Sequence, residues 1–454
     1  MQIRDSEVAD IPSGILAGFV EQEEVRILAA SKETLVFRSC KKIPSKAEIR
    51  IKAYHFKRDM YDCFSIKNYH ILEEEEREFY VVYRIGFLKS EAGEAVWRVI
   101  CDYNRYIMLK CNGFENEFSM EMTGYPANLE GDYEESYAGQ KAHVLSEVDT
   151  TGVFDYLCAS SLELSVALDN PKAYEKYLEL DKAKWLKKYL ESNDISCSDT
   201  SVLIQRVERI YIGNAFCHHL MPDLDTMLAL FHKAVREKMK ITLVCSGVQQ
   251  EDLYKMSALL EGVYHWCESQ KVKIEVTAND YGVLNLLRNW QDYFIIRSGI
   301  LLNKMHKDPR YRYKNGNCDA EGYGSLERGS LQEGEFIQRL KELGVSGWEY
   351  ESCGRKQDIC LENSSLHLPF YQTNTSSYCP LSAVVLEGSR AKQRKLKDCK
   401  QLCRAYAMLY PKHLKLFGLY NSLFGLDVEI LKDTAPLQYF IEAGIKRIVL
   451  NYIS

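Results

Sequence analysis

No stretch of this 454-residue chain approaches the roughly 18 uninterrupted apolar residues of a membrane span, and its first residues, MQIRDSEVADIPSG, lack the apolar centre of a signal peptide. These absences make a cytoplasmic protein with no membrane association the expectation. Charge of one sign is also missing. Lys and Arg number 58 against 64 Asp and Glu, a formal net charge of -6, so any affinity for nucleic acid must be local. No internal repeat stands out. What the chain has in quantity is cysteine, fifteen residues. In a reducing compartment such thiols are core residues, metal ligands or redox groups before they are disulfides. A 46% hydrophobic content over this length is enough for two or three domains, each with its own core.

The organisation changes twice along the chain. Residues 1–150 hold short alternating segments, EEVRILAAS, ETLVFRS, AEIRIKAYHF, REFYVVYRIGFL and AVWRVICDY, which read as strands of a small antiparallel barrel or sandwich. The acidic run Glu73 to Glu76 fits a solvated turn between them. Residues 151–200 carry Tyr174, Tyr177, Leu178, Trp185, Leu186 and Leu190 at near-helical spacing, and read as a helical connector. From residue 201 to 454, strand-like and helix-like pieces take turns: ERIYIG, LDTMLALFHKAVREKM, KITLVCS, EDLYKMSALLEGVYHWCESQ, VKIEVTAND and onward. The fold class is therefore α/β, with a (β/α) barrel-like C-terminal domain of about eight strands.

Four cysteines in that domain form a possible ligand set. Cys399 and Cys403, in DCKQLCRAYAML, would share one face of a helix. Cys379 lies upstream in TSSYCPLSAVVLEG, ahead of an apparent strand, and the proline after it fixes the backbone. Cys217, in RIYIGNAFCHHLMP, follows ERIYIG, the first strand expected of the barrel, and so falls at the end where βα loops build sites. Four thiolates suit a [4Fe-4S] cluster and equally suit zinc, and spacing leaves the two open, as it leaves open that these are buried core cysteines.

The ordered segments IYIGNAFC, EVTANDYGVLNLL, GILLNKMHKDPR, YQTNTSSYCPLSAVV and KDCKQLCRAY resemble the collagenase-like peptidases of family thirty-two, nearest to the UbiU/UbiV-type oxygen-independent hydroxylase branch. The resemblance covers roughly residues 203 to 454. It implies a barrel with a [4Fe-4S] cluster on Cys217, Cys379, Cys399 and Cys403. It also implies hydroxylation of a small aromatic molecule or an RNA base, with the oxygen atom taken from a small anionic donor such as prephenate. A non-catalytic role beside a paralogous family subunit and a protease activity are the alternatives it carries. The chain departs from the peptidase and RNA-modifying members where they hold a His-Gly-Ala/Ser-x-Cys run. Here the text is HLPFYQTNTSSYC. In the N-terminal part, VRILAASKETLVFRSCKKIPSKAEIRI is faintly similar to a PilZ-type barrel without its nucleotide-holding positions.

Such chemistry needs polar groups at strand ends. Asn279 and Asp280 in ANDYG, Arg297 in IIRSG, and Tyr371, Gln372 and Asn374 in FYQTN occupy those places. Asp280 suits a general base, and suits equally well a cap for the helix that follows it. Arg297 suits a carboxylate clamp or a structural ion pair. GSRAKQRKLKDCKQLCR is the main hint of RNA, against a solvated helix face.

Overall fold

The computed structural model describes residues 8–11, 16–21, 23–44, 46–55, 60–111, 133–146, 148–307, 328–387, 392–409 and 415–453. The described residues fall into two compact units, one up to Cys111 and one from Tyr133 onward.

The first unit is an eight-stranded antiparallel sheet. Its strands are β1 (Ala9–Asp10), β2 (Leu16–Val20), β3 (Glu23–Ala30), β4 (Thr34–Ser39), β5 (Ile49–His55), β6 (Met60–Ile66), β7 (Tyr69–Glu76) and β8 (Val81–Phe87). They are ordered β6-β5-β2-β3-β4-β8-β7, with β1 beside β3. The acidic run Glu73 to Glu76 lies in edge strand β7, not in a turn, where exposed charge blunts unwanted strand pairing. AVWRVICDY is not a strand either. It belongs to the 21-residue helix Glu91–Cys111, because Ala92, Ala95, Val96, Val99 and Ile100 recur at helical spacing and are all buried in the sheet's core cluster.

The second unit is a closed parallel barrel of eight strands. These are β9 (Glu163–Leu168), β10 (Val207–Gly213), β11 (Lys240–Cys245), β12 (Ile274–Ala278), β13 (Phe294–Ser298), β14 (Val345–Glu351), β15 (Ser364–Leu368) and a last strand, Ile445–Leu450, that pairs with both β15 and β9. Residues 151–200 are therefore no connector. They contribute β9, the first barrel strand, with helices Thr151–Ala159, Pro171–Glu179 and Lys182–Ser192 around it. Strand β10, ahead of Cys217, is consequently the second of the barrel. Between β15 and the last strand the chain leaves the barrel to form a four-stranded antiparallel sheet of β16 (Phe370–Thr375), β17 (Met408–Leu409), β18 (Leu416–Leu419) and β19 (Ser422–Leu426). With those placed, the last barrel strand is β20.

Alternation along each barrel strand sorts the side chains. Leu164, Val166, Ile210, Ile212, Leu243, Val276, Ile296, Leu366 and Ile448 join the helices in one apolar cluster. The intervening residues meet across the barrel axis, and many are charged. Arg447 of β20 holds Glu275 of β12, on the opposite wall, through Nη1 at 2.6 Å and Nη2 at 2.8 Å. Arg209 and Arg447 both bind Glu163 Oε1 at 2.6 Å. Arg297 pairs with Glu349, whose Oε2 lies 2.8 Å from His367 Nε2. Three arginines thus face three glutamates where barrels of this kind usually pack branched aliphatics. Burial alone would raise the carboxyl pKa of Glu349, but Arg297, His367 and Arg447 hold it down at about 2. Gly347 makes room for this arrangement: a Cβ there would stand 2.3 Å from Arg297 Nη1.

Candidate functional site

All four cysteines come to the C-terminal end of the barrel, but not on the elements their spacing suggests. Cys399 lies in an irregular segment, and Cys403 in the short 3-10 turn Leu402–Arg404. The expected shared helix is absent because Gln401 between them is left-handed, with φ 50°, which breaks the periodicity. SAVVLE likewise lies in the helix Pro380–Glu387 and not in a strand. Pro380 occupies its first position, where a missing N–H costs nothing, and Cys379 is the residue just before it.

The four thiols nevertheless share one neighbourhood. The thiols of Cys217 and Cys403 are each pushed up to about 12, first by burial and then by other cysteines. That of Cys379 is raised by burial, with Cys399 adding to it. Between them these influences cover all six pairs of the set. Backbone N–H groups aim at the sulfurs. Ser382 N donates to Cys379 Sγ at 3.4 Å, Gln401 N donates to Cys399 Sγ at 3.4 Å, and the amides of His219 and Leu220 serve Cys217. Donors of this kind favour thiolate over thiol and suit cluster ligands. Among the described residues, no three His, Cys, Asp or Glu side chains form a group that could hold a single metal ion.

Asn214 shapes the Cys217 loop. Its Oδ1 accepts from Phe216 N at 2.8 Å and Cys217 N at 2.7 Å, while its Nδ2 donates to Asp169 O at 2.7 Å. Asp169, at the end of β9, is raised to about 6 by burial, against the pull of hydrogen bonds from Tyr420 and Asn170. His218, next to Cys217, is lowered to about 4, by burial first and His219 second, so its imidazole is neutral at pH 7.

Against the cysteine loops lies a cavity of about 520 Å³. Phe216 and His218 flank Cys217 on its wall, Ser376 and Ser377 approach Cys379, and Gly247, Asp280, Asn303, Lys304 and Lys307 come from barrel loops. Four of the six strand-end residues singled out in the sequence line it: Asn279, Asp280, Gln372 and Asn374. Two of these are occupied with the fold. Asp280 Oδ1 caps the helix Tyr281–Leu287 by accepting from Val283 N at 2.7 Å, and Oδ2 accepts from Val248 N at 2.8 Å. Asn279 donates to Cys245 O at 2.8 Å and accepts from Leu301 N at 3.1 Å. Gln372, in the orientation that satisfies its amide, accepts from Thr375 N and Asn374 N, each at 3.1 Å.

The other two lie outside the lining. Arg297 is fully buried within the barrel against Glu349, Ser365 and Asn363. Tyr371 lays its ring on Gly425, where a Cβ would meet Cζ at 2.2 Å. Sequence reasoning passed over Asn303 and Lys304. Asn303 is 5% exposed, lines the cavity, and its amide bonds to nothing among the described residues. Lys304 likewise has no ion-pair partner among them. Their signal in the sequence was their place after β13, within the segment GILLNKMHKDPR.

The basic stretch divides between described and undescribed residues, 388–391 lying outside the description. Of the rest, Arg394 pairs with Glu387, Lys395 with Glu251 and Asp252, and Arg404 with Glu175.

No helix among the described residues is long and apolar enough to cross a membrane. No protein-family model and no curated relative matches the chain. Among solved structures, an uncharacterized Legionella protein aligns at 12% identity over 22% of this chain and 95% of its own, with a TM-score of 0.17, a likeness too slight to bear on fold or function.

Proposed function

We propose that this protein carries a [4Fe-4S] cluster on Cys217, Cys379, Cys399 and Cys403. In this reading it acts as an oxygen-independent hydroxylase-like enzyme of the collagenase-like peptidase group on a small molecule held in the adjoining cavity. The observation that carries the reading is the convergence of four thiols, from three separate segments, on one neighbourhood beside that cavity. When bound, such a cluster passes single electrons. The chain's own residues have the remaining roles. Asn303 offers an amide on the cavity wall to the ligand. Lys304 favours an anionic group, such as the carboxylates of a prephenate-like oxygen donor, while Lys307 is already paired with the buried Glu351. Asp280 and Asn279 hold the loops that shape the wall. Three of the six described basic residues of that stretch, Arg394, Lys395 and Arg404, are ion-paired, which counts toward a small substrate and against RNA.

Anaerobic purification with iron, acid-labile sulfide and zinc analysis tests the reading. Iron and sulfide in equal amounts, lost together in Cys399→Ser, are expected. A colourless zinc protein that keeps its metal in that variant would end it.

A further inference from the structure

The turn between β18 and β19 consists of Tyr420 and Asn421, and it fastens two of the cysteine-bearing loops to each other. Asn421 Nδ2 donates to Phe216 O at 2.8 Å and to Ser376 O at 2.7 Å. Ser376 N returns a bond to Asn421 O at 3.0 Å. Phe216 directly precedes Cys217, and Ser376 lies just ahead of Cys379 in TSSYC. One carboxamide, 9% exposed, thereby joins the loop after the second barrel strand to the loop after β16.

The backbone at this turn is strained. Tyr420 has φ 58°, in a first central hairpin position that usually takes glycine. For a residue with a side chain the left-handed region carries a conformational cost. The side chain offsets that cost: Tyr420 Oη donates to Asp169 Oδ2 at 3.0 Å and accepts from Asn170 Nδ2 at 3.3 Å, tying the turn to the end of β9. Gln401, also left-handed, does the equivalent for the late cysteines, placing its N–H on Cys399 Sγ and its side-chain amide 3.4 Å from His219 O. Strain thus falls at two points around one set of sulfurs. Tyr420 O accepts from the Cys379 thiol at 3.6 Å. A thiolate could not make that bond, whereas the bonds of the Asn421 amide to the two loops do not depend on it.

We propose that Asn421 is the positioning residue of the cysteine site, its amide locking the Cys217 loop to the Cys379 loop and so setting the separation of those two sulfurs. This rests on the cluster reading above. Asn421→Leu keeps the shape and removes both donors, and Asn421→Ala provides a smaller second variant. Thr373→Val is the control, because Thr373 lines the same cavity while its Oγ1 bonds Leu423 O within the sheet and not the backbone of either cysteine loop.

Anaerobically reconstituted proteins are challenged with an iron chelator and their reduced spectra recorded by electron paramagnetic resonance. Hydrogen exchange is measured on the metal-free forms. Iron loss at least about tenfold faster, altered g-values, and exchange rising together in residues 214–219 and 376–382 but not in the barrel strands are expected of the Asn421 variants and not of Thr373→Val. Unchanged retention and spectra, or faster exchange in one loop only, would overturn the proposal. If the wild-type protein takes up no iron and sulfide, the cluster reading fails, and the exchange measurement alone decides whether the amide couples the loops.

Discussion

Inside the barrel, Arg209, Arg297 and Arg447 each touch a carboxylate, and Glu163, Glu275 and Glu349 each touch an arginine. At the C-terminal rim, a few residues further along the same strands, the Asn303 amide and the Lys304 ammonium have no partner among the described residues, Lys307 pairs with Glu351, and four thiols crowd together with raised pKa values or raise those of their neighbours. Both regions collect polar groups in partly desolvated space. The interior set is neutralised by its own members and needs nothing further, which is the signature of a structural network. In the proposed reading, the rim set is completed by the cluster and the ligand. Polar residue type therefore does not separate scaffold from site here, whereas unspent hydrogen-bonding and ligating capacity does.

Removing one interior partner should have the largest effect on folding. Arg297→Met leaves Glu349 buried without its main counter-charge, and a loss of about 3–5 kcal/mol is expected. Urea denaturation of the metal-free protein measures it, and a loss below about 1 kcal/mol would mean that the network is not the scaffold described. Acid should do the same more gradually. Glu163 and Glu349 are held at about 2 against an ordinary 4.5, in each case by arginines that overcome the upward push of burial. Because the folded pKa is depressed, the stabilisation is complete above about pH 4.5 and disappears as pH falls toward 2. A stability profile that stays flat across that window would contradict the pairing.

At the rim the order of effects reverses. Cys399→Ser should shift the stability of the metal-free protein by less than about 1 kcal/mol while abolishing iron and sulfide uptake. A collapse of the metal-free fold would place Cys399 with the scaffold instead. Smallest of all, Lys304→Met should leave the denaturation midpoint within about 0.5 kcal/mol of wild type, since the exposed ammonium holds no described partner. A larger drop would show that its charge is already committed to the fold.

Much of the barrel was legible because β10 to β13 alternate with helices, two of them, Leu224–Arg236 and Leu253–Gln270, long enough to show their period. ELSVAL was not, since a short apolar run set among helical segments is ambiguous between strand and helix. AVWRVICDY misled for the opposite reason, its β-branched residues hiding an i, i+3, i+4 face. The charged interior was hidden because a charged residue set between apolar ones, as Arg209 in ERIYIG, Glu349 in WEYE and Arg447 in IKRIVL, suits a solvated strand face equally well, and only closure of the barrel turns that face inward. The cysteine set came from order and resemblance. Its local geometry did not, because the left-handed backbone at Gln401 and Tyr420 sits at residues with no glycine or asparagine to announce it.

The central claim is that the rim is completed by a four-iron cluster, and the spectrum of the anaerobically purified, dithionite-reduced protein tests it most directly. A fast-relaxing electron paramagnetic resonance signal of a reduced [4Fe-4S] cluster, accompanied by roughly four iron and four sulfide per chain and missing from each of Cys217→Ser, Cys379→Ser, Cys399→Ser and Cys403→Ser, is the result predicted. A protein with no such signal that binds zinc or no metal, or a signal that survives all four substitutions, would contradict it.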